Sequence, residues 1–201
     1  MKQFFTTKRI CRAGIIAALY VAFTYAFGAI AYEGYLEIRP AEALTILPLF
    51  FPEAVPALYI GCMLANLGSP FLVYDVFIGS LATLLAALAT WGVGKLIRSH
   101  AARVAVGGIF PVLFNAFCIP LVIVFLCDTL VAETAAASYW FFVGSLAATQ
   151  VLWVYALGVP LYYFVYKMRK KGVSAFLDGK KQKPAEAVHT LSLIHISEPT
   201  R

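Results

Sequence analysis

Long apolar runs alternate with short charged knots along most of this chain, and a run of about 20 residues is what a helix needs to cross the hydrocarbon of a bilayer. The first extends from Ala13 to Ala31, behind Lys2, Lys8, Arg9 and Arg12. Within it Ala13 and Ala17, then Ala18 and Ala22, stand four residues apart, laying narrow stripes on a helix that let another helix come close. Ala29-Ile-Ala31 has the form of a signal-peptidase site, but the run exceeds a signal-peptide core and further spans follow. The first helix is therefore read as retained, with its N-terminus in the cytoplasm.

Beyond Tyr32 the pattern breaks. Glu33, Glu37, Arg39 and Glu42 come in quick succession, and Pro48, Pro52 and Pro56 then recur every four residues through an otherwise apolar stretch. Each proline removes a backbone donor, and lipid tolerates the freed carbonyls only where protein or a water-filled cavity covers them, so no unbroken helix is expected here. Pro40 suits the first position of a helix, which places Glu42 near a positive N-terminal end and makes a capping carboxylate one reading of it.

A short apolar segment, Ala54 to Asn66, stops at the turn signal Asn66-Leu-Gly-Ser-Pro70. The span after it, Phe71 to Leu96, carries Asp75 near its start with Gly79, Thr83 and Ala87 at four-residue steps. Asp75 thus shares a face with small, packable side chains and is expected to point into a bundle. Val104 to Leu126 follows, with Asn115 between Pro111 and Pro120; about 23 residues rise roughly 34 Å, enough to cross. Asp128 and Glu133 close it. The last span, Tyr139 to Tyr166, holds Gln150 and stops at Lys167-Met-Arg-Lys-Lys171.

Basic residues cluster before the first span, after Leu96 and after Tyr166, while acids gather at the opposite ends, which puts both termini in the cytoplasm. The exit near Tyr32 and the entry near Phe71 then lie on one side, so the proline-rich stretch between them crosses an even number of times. One re-entrant loop would also satisfy this, but two short crossings are the preferred reading and give an all-α, polytopic bundle of six transmembrane helices, the second and third short or kinked, over residues 1–172. Residues 173–190 read as a basic cytoplasmic tail. Residues 191–201 resemble a translated sequencing-library adapter and are set aside as non-native, so His189 and His195 carry no weight.

Composition agrees with the pattern. At 62% hydrophobic and 13% charged residues, with mean hydropathy +0.83, there is more apolar surface than one soluble core can hide. The net charge of +6 lies in clusters flanking the spans rather than along one face, which argues against a nucleic-acid partner. Cys11, Cys62, Cys118 and Cys127 form no C-x-x-C pair and read as packing residues, leaving no metal or cofactor site. No hydrolase or metalloprotease signature occurs, and Gly92-Val-Gly94-Lys95 lacks the leading glycine of a phosphate loop, so no enzyme is expected.

The polar residues left over in or just above apolar spans are Arg39, Glu42, Asn66, Asp75, Asn115 and Gln150. Ionisable groups at such depth are costly and usually face a cavity or a partner. Together they describe a pocket open to the outside for a small, planar, polar solute, with Phe71, Tyr74 or Trp140 to stack on its face. An interfacial Arg39–Glu42 ion pair and an Asn115 that merely glues helices are the competing readings.

These residues resemble the QueT group of substrate-binding S-components of energy-coupling factor (ECF) transporters, over most of residues 10–166. The resemblance rests on Ala13-Gly-Ile-Ile-Ala-Ala-Leu-Tyr-Val-Ala22, Arg39-Pro-Ala-Glu42-Ala-Leu-Thr-Ile-Leu-Pro48, Gly61-Cys-Met-Leu-Ala-Asn66 and Asp75-Val-Phe-Ile-Gly-Ser-Leu-Ala-Thr83. Pro40 stands where the group usually has serine or another small polar residue. The resemblance implies six helices in the bacterial cell membrane and an outward-facing pocket for a queuosine precursor, a 7-deazaguanine. It also implies docking of the alanine stripe, Ala13, Ala17, Ala18 and Ala22, on the coupling protein EcfT, which is driven by two ATPases. The substrate-binding set is then Arg39, Glu42, Asn66, Tyr74, Asp75, Asn115 and Gln150. An S-component for another vitamin or nucleobase, and a structural membrane protein without a solute, are the alternatives.

Overall fold

The computed structural model describes residues 6–32, 37–126 and 132–173, so Glu33, Cys127, Asp128 and the chain beyond Val173 with both tail segments lie outside the described residues. Among the described residues 86% are helical and none lies in a strand. Helix α1 runs Thr7–Ala26 and leads through a 3-10 turn, Gly28–Tyr32, towards a ten-residue 3-10 segment, Pro40–Leu49. Then come α2 (Ala54–Asn66), α3 (Leu72–Leu96), α4 (His100–Leu126), α5 (Ala132–Ala156) and α6 (Gly158–Lys170).

Among the described residues four stretches are long and apolar enough to cross a membrane: α1, α3, α4 and the 36-residue Ala135–Lys170 run that joins α5 to α6. The segments Pro40–Leu49 and Ala54–Asn66 are apolar but shorter. Helix α1 starts before its apolar run because Lys and Arg are good helix formers. It stops where Gly28 turns to a φ of 52°, a left-handed conformation that side chains with a Cβ resist. The last run is not one helix. Pro160 has no N–H for the carbonyl one turn back and its ring clashes there, so the backbone breaks at Leu157 and restarts at Gly158.

At the centre lies the proline-bearing segment, all ten of its residues buried and packed against α1 and α3–α6. Pro48 removes one N–H from this stretch, and 3-10 pairing, which continues to the Phe50 N–H on Leu47 O at 2.9 Å, replaces the α pattern. At about 2 Å per residue, ten residues of 3-10 helix span roughly 20 Å, more than an α-helix of that length would. Two glycines let backbones come together around it. A Cβ on Gly61 of α2 would sit 3.1 Å from Ala17 O and from Tyr20 Cβ of α1, and one on Gly94 would lie 2.9 Å from Leu49 O.

The packing gives the bundle two unlike ends. One gathers Arg12, Phe50, Phe51, Glu53, His100 and Arg169, with the Arg12 guanidinium on the Glu53 carboxylate and Arg169 Nη1 donating to Phe50 O at 3.1 Å. The other gathers Tyr32, Glu37, Arg39, Asn66, Ser69 and Asp75. Between them Glu42, Tyr20 and Asn115 meet in the interior.

Candidate functional site

Pro40 opens the 3-10 segment and so sets Glu42 in its first turn, where the carboxylate enters the core instead of solvent; only 1% of Glu42 is exposed. The two oxygens are held from opposite helices. Tyr20 of α1 donates its hydroxyl to Glu42 Oε1 at 2.7 Å, and Asn115 of α4 donates Nδ2–H to Oε2 at 3.1 Å. Thr45 donates to the Glu42 carbonyl at 2.5 Å, which fixes the turn beneath it. A carboxylate oxygen accepts about two hydrogen bonds, so each retains capacity for a further donor.

Arg39, next to the segment's start, distributes its donors. Nε–H binds Ala31 O at 2.7 Å, Nη1–H reaches Asn66 Oδ1 at 3.5 Å, and Nη2 lies 3.6 Å from Glu37 Oε1. The guanidinium stands 5.1 Å from the Tyr32 ring centre. Glu37 lies in the connection ahead of the segment, and burial pushes its carboxyl up to about 7 while the nearby Arg39 charge pulls the other way. Asn66, the last residue of α2, donates Nδ2–H to Asp75 O at 2.7 Å and so ties the α2 end to the start of α3.

Asp75 opens a π-helical turn, Asp75–Gly79, inside α3. Such turns widen a helix and are frequent at functional sites. Ser69, from the turn after α2, donates its hydroxyl to Asp75 Oδ2, whereas Oδ1 is buried without a hydrogen-bond partner among the described residues. Gly79, Thr83 and Ala87 are buried with Asp75, the face that four-residue spacing indicates. Gln150 of α5 is 2% exposed and its Oε1 likewise lacks a partner, as does Trp153 Nε1 one turn on. A buried polar atom left in this state costs free energy unless something else satisfies it.

Of the expected residues, then, Arg39, Asn66 and Asp75 form one connected network, Glu42 and Asn115 a second, and Gln150 is buried with an acceptor to offer. Tyr74 lies apart at 39% exposed, and Trp140 is exposed at 63%, so neither covers these groups; Phe71 packs beside Ile119 and Phe142. Tyr20, Ser69 and Trp153 escaped the sequence reading. A lone tyrosine hydroxyl in the middle of the first apolar run was the available signal for Tyr20, and the Gly-Ser-Pro turn for Ser69. Glu42 and Arg39 form no direct ion pair; each has other partners.

The alanine stripe divides. Ala13 and Ala17 are partly buried against the core, and Ala17 meets Gly61 as described, whereas Ala18 and Ala22 are exposed.

The sequence profile of the QueT transporter family matches residues 10–167. Comparison with curated proteins and with solved structures finds no match. The matched stretch reaches into every helix and contains each residue of the two networks, so this multi-pass membrane protein, a transporter component and not an enzyme, belongs to the QueT transporter family.

Proposed function

We propose that the chain is the substrate-binding S-component of an ECF transporter and that it takes up a queuosine precursor, a 7-deazaguanine, across the bacterial cell membrane. The observation that supports this most is Glu42, a carboxylate in the core with one donor on each oxygen and room for more. The pyrimidine edge of a deazaguanine presents a ring N–H beside an exocyclic amine. Two parallel donors fit a carboxylate in the bidentate manner in which acidic side chains recognise such edges. Asp75 Oδ1 and Gln150 Oε1 offer two further acceptors, one of them anionic and suited to an aminomethyl cation on the same solute. Arg39 acts by holding Asn66 and Glu37 in place.

In this reading both termini lie in the cytoplasm, the six apolar helices all cross, and the Arg39–Asp75 end opens outward. Docking on the coupling protein EcfT, which two ATPases drive, falls to Ala18 and Ala22, since Ala13 and Ala17 are occupied within the bundle. Thermal melting of the purified protein with a panel of nucleobases and vitamins tests the solute. Stabilisation by 7-deazaguanines alone is the expected result; a shift with another vitamin moves the assignment to that solute, and no shift with any compound favours a purely structural protein. Ala18→Leu with Ala22→Leu should leave solute binding intact and stop uptake in cells that carry the complete transporter. Undiminished uptake sinks the docking assignment.

A further inference from the structure

A cleft lies at the opposite end of the bundle from Asp75, where α4 begins and α6 ends. It encloses about 430 Å³ between Leu49, Phe50, His100, Arg103, Tyr166, Arg169 and Lys170. Four of these seven carry or can carry positive charge, and among the described residues no carboxylate lines it. Arg103 and His100 are held by neutral groups. Arg103 donates Nε–H and Nη2–H to Ile97 O at 3.0 and 2.7 Å, capping the end of α3, and its side chain also meets the Tyr162 hydroxyl. Arg169 is steadied by Phe50 O and lies 5.7 Å from the Phe50 ring centre. His100 Nδ1 pairs with the Tyr162 hydroxyl at 2.9 Å, which leaves Nε2 for a ligand.

Such an arrangement concentrates positive charge that no acid among the cleft's own residues offsets, and it fixes the donors in advance, so an anion with several acceptor oxygens gains most from it. We propose that this cleft binds the phosphodiester of an anionic phospholipid. Its position decides for a lipid over a soluble phosphate. The cleft sits where apolar spans give way to basic residues, the pattern that marks a headgroup boundary, and its Leu49 and Phe50 wall offers apolar surface to the glycerol and first methylenes of a lipid. Neither Glu42 nor Asp75 touches it, so the proposal stands whether or not the solute is a deazaguanine.

Native mass spectrometry of the full chain, with phosphatidylglycerol, phosphatidylcholine or inorganic phosphate added, tests it. Phosphatidylglycerol should bind one to one and outcompete phosphatidylcholine. Arg103→Gln with Lys170→Gln should weaken it about thirtyfold, roughly fivefold for each basic side chain near a membrane surface. The charge-preserving Arg103→Lys with Lys170→Arg should keep most of the binding, which separates lost charge from lost fold. Equal binding of phosphatidylcholine, or an unchanged affinity in the charge-removing variant, overturns the proposal. So does displacement of the lipid by inorganic phosphate, which would make this a site for a soluble anion.

Discussion

Each end of the bundle buries an arginine beside a glutamate, yet the two pairs are built differently. Arg12 sits directly on Glu53, with its guanidinium 4.1 Å from the Phe51 ring centre and both side chains about nine-tenths buried. That contact closes the joint between α1 and the start of α2. Arg39 stands 3.6 Å from Glu37 and shares its donors with Ala31 and Asn66, beside an Asp75 oxygen that nothing described satisfies. The tight pair brings its charges into direct contact, although Glu53 Oε2, like Asp75 Oδ1, has no hydrogen-bond partner among the described residues. A loose one keeps a polar cluster ordered without filling it, which is what a site for a removable solute needs.

Glu53→Gln should separate the two ends most. Leaving one member of a buried ion pair alone costs about 3–5 kcal/mol, so this variant should show the largest fall in melting temperature of any discussed here. The protein that remains folded should bind solute as the wild type does. Unchanged melting would mean that the Arg12–Glu53 contact is no clasp and that the two ends do not differ in kind.

Glu42→Gln should act the other way. It keeps the volume and an acceptor but turns one oxygen into a donor facing either Tyr20 or Asn115, and it removes the charge a bound N–H would meet. Hydrogen bonds to a charged group are worth about 1.5–3 kcal/mol, so affinity for the proposed deazaguanine solute should fall roughly ten- to a hundredfold by calorimetry. Melting should change less than in Glu53→Gln. Wild-type affinity in this variant removes Glu42 from the site.

How much of this was readable beforehand follows from the range of each interaction. The apolar runs announced α1, α3, α4 and the final span, because burial in lipid is a property of a stretch and needs no partner. Ala54–Asn66 came out to the residue, bounded by a proline ladder on one side and a glycine-proline turn on the other. The burial of Asp75 with Gly79, Thr83 and Ala87 followed from period alone. Distant pairings were not legible. Tyr20 lies 22 positions from Glu42 and Asn115 lies 73 away, so a neutral tyrosine on the first helix gave no sign that it would hold the central carboxylate. Period also failed to divide the alanine stripe. Four-residue steps describe Ala13 and Ala17 as well as Ala18 and Ala22, and only the approach of Gly61 decides which pair is turned inward.

The finest distinction between the two ends is in their protons, and Glu37 carries it. Burial raises its carboxyl from 4.5 to about 7 even though Arg39 opposes the shift. The folded chain therefore keeps a proton that the unfolded chain releases, and the stability this contributes is complete below about 4.5 and lost as the pH rises through about 7. Glu37→Gln is neutral throughout. Its melting temperature should lack the wild type's decline across that window, and above it the variant should be the more stable by about 2–4 °C, the shift that roughly 1 kcal/mol produces in a chain of this size. Parallel melting profiles for the two proteins would mean that Glu37 does not titrate there. Its carboxylate would then be as firmly committed to Arg39 as Glu53 is to Arg12, and the looseness expected of the proposed solute site would have to be sought in Asp75 alone.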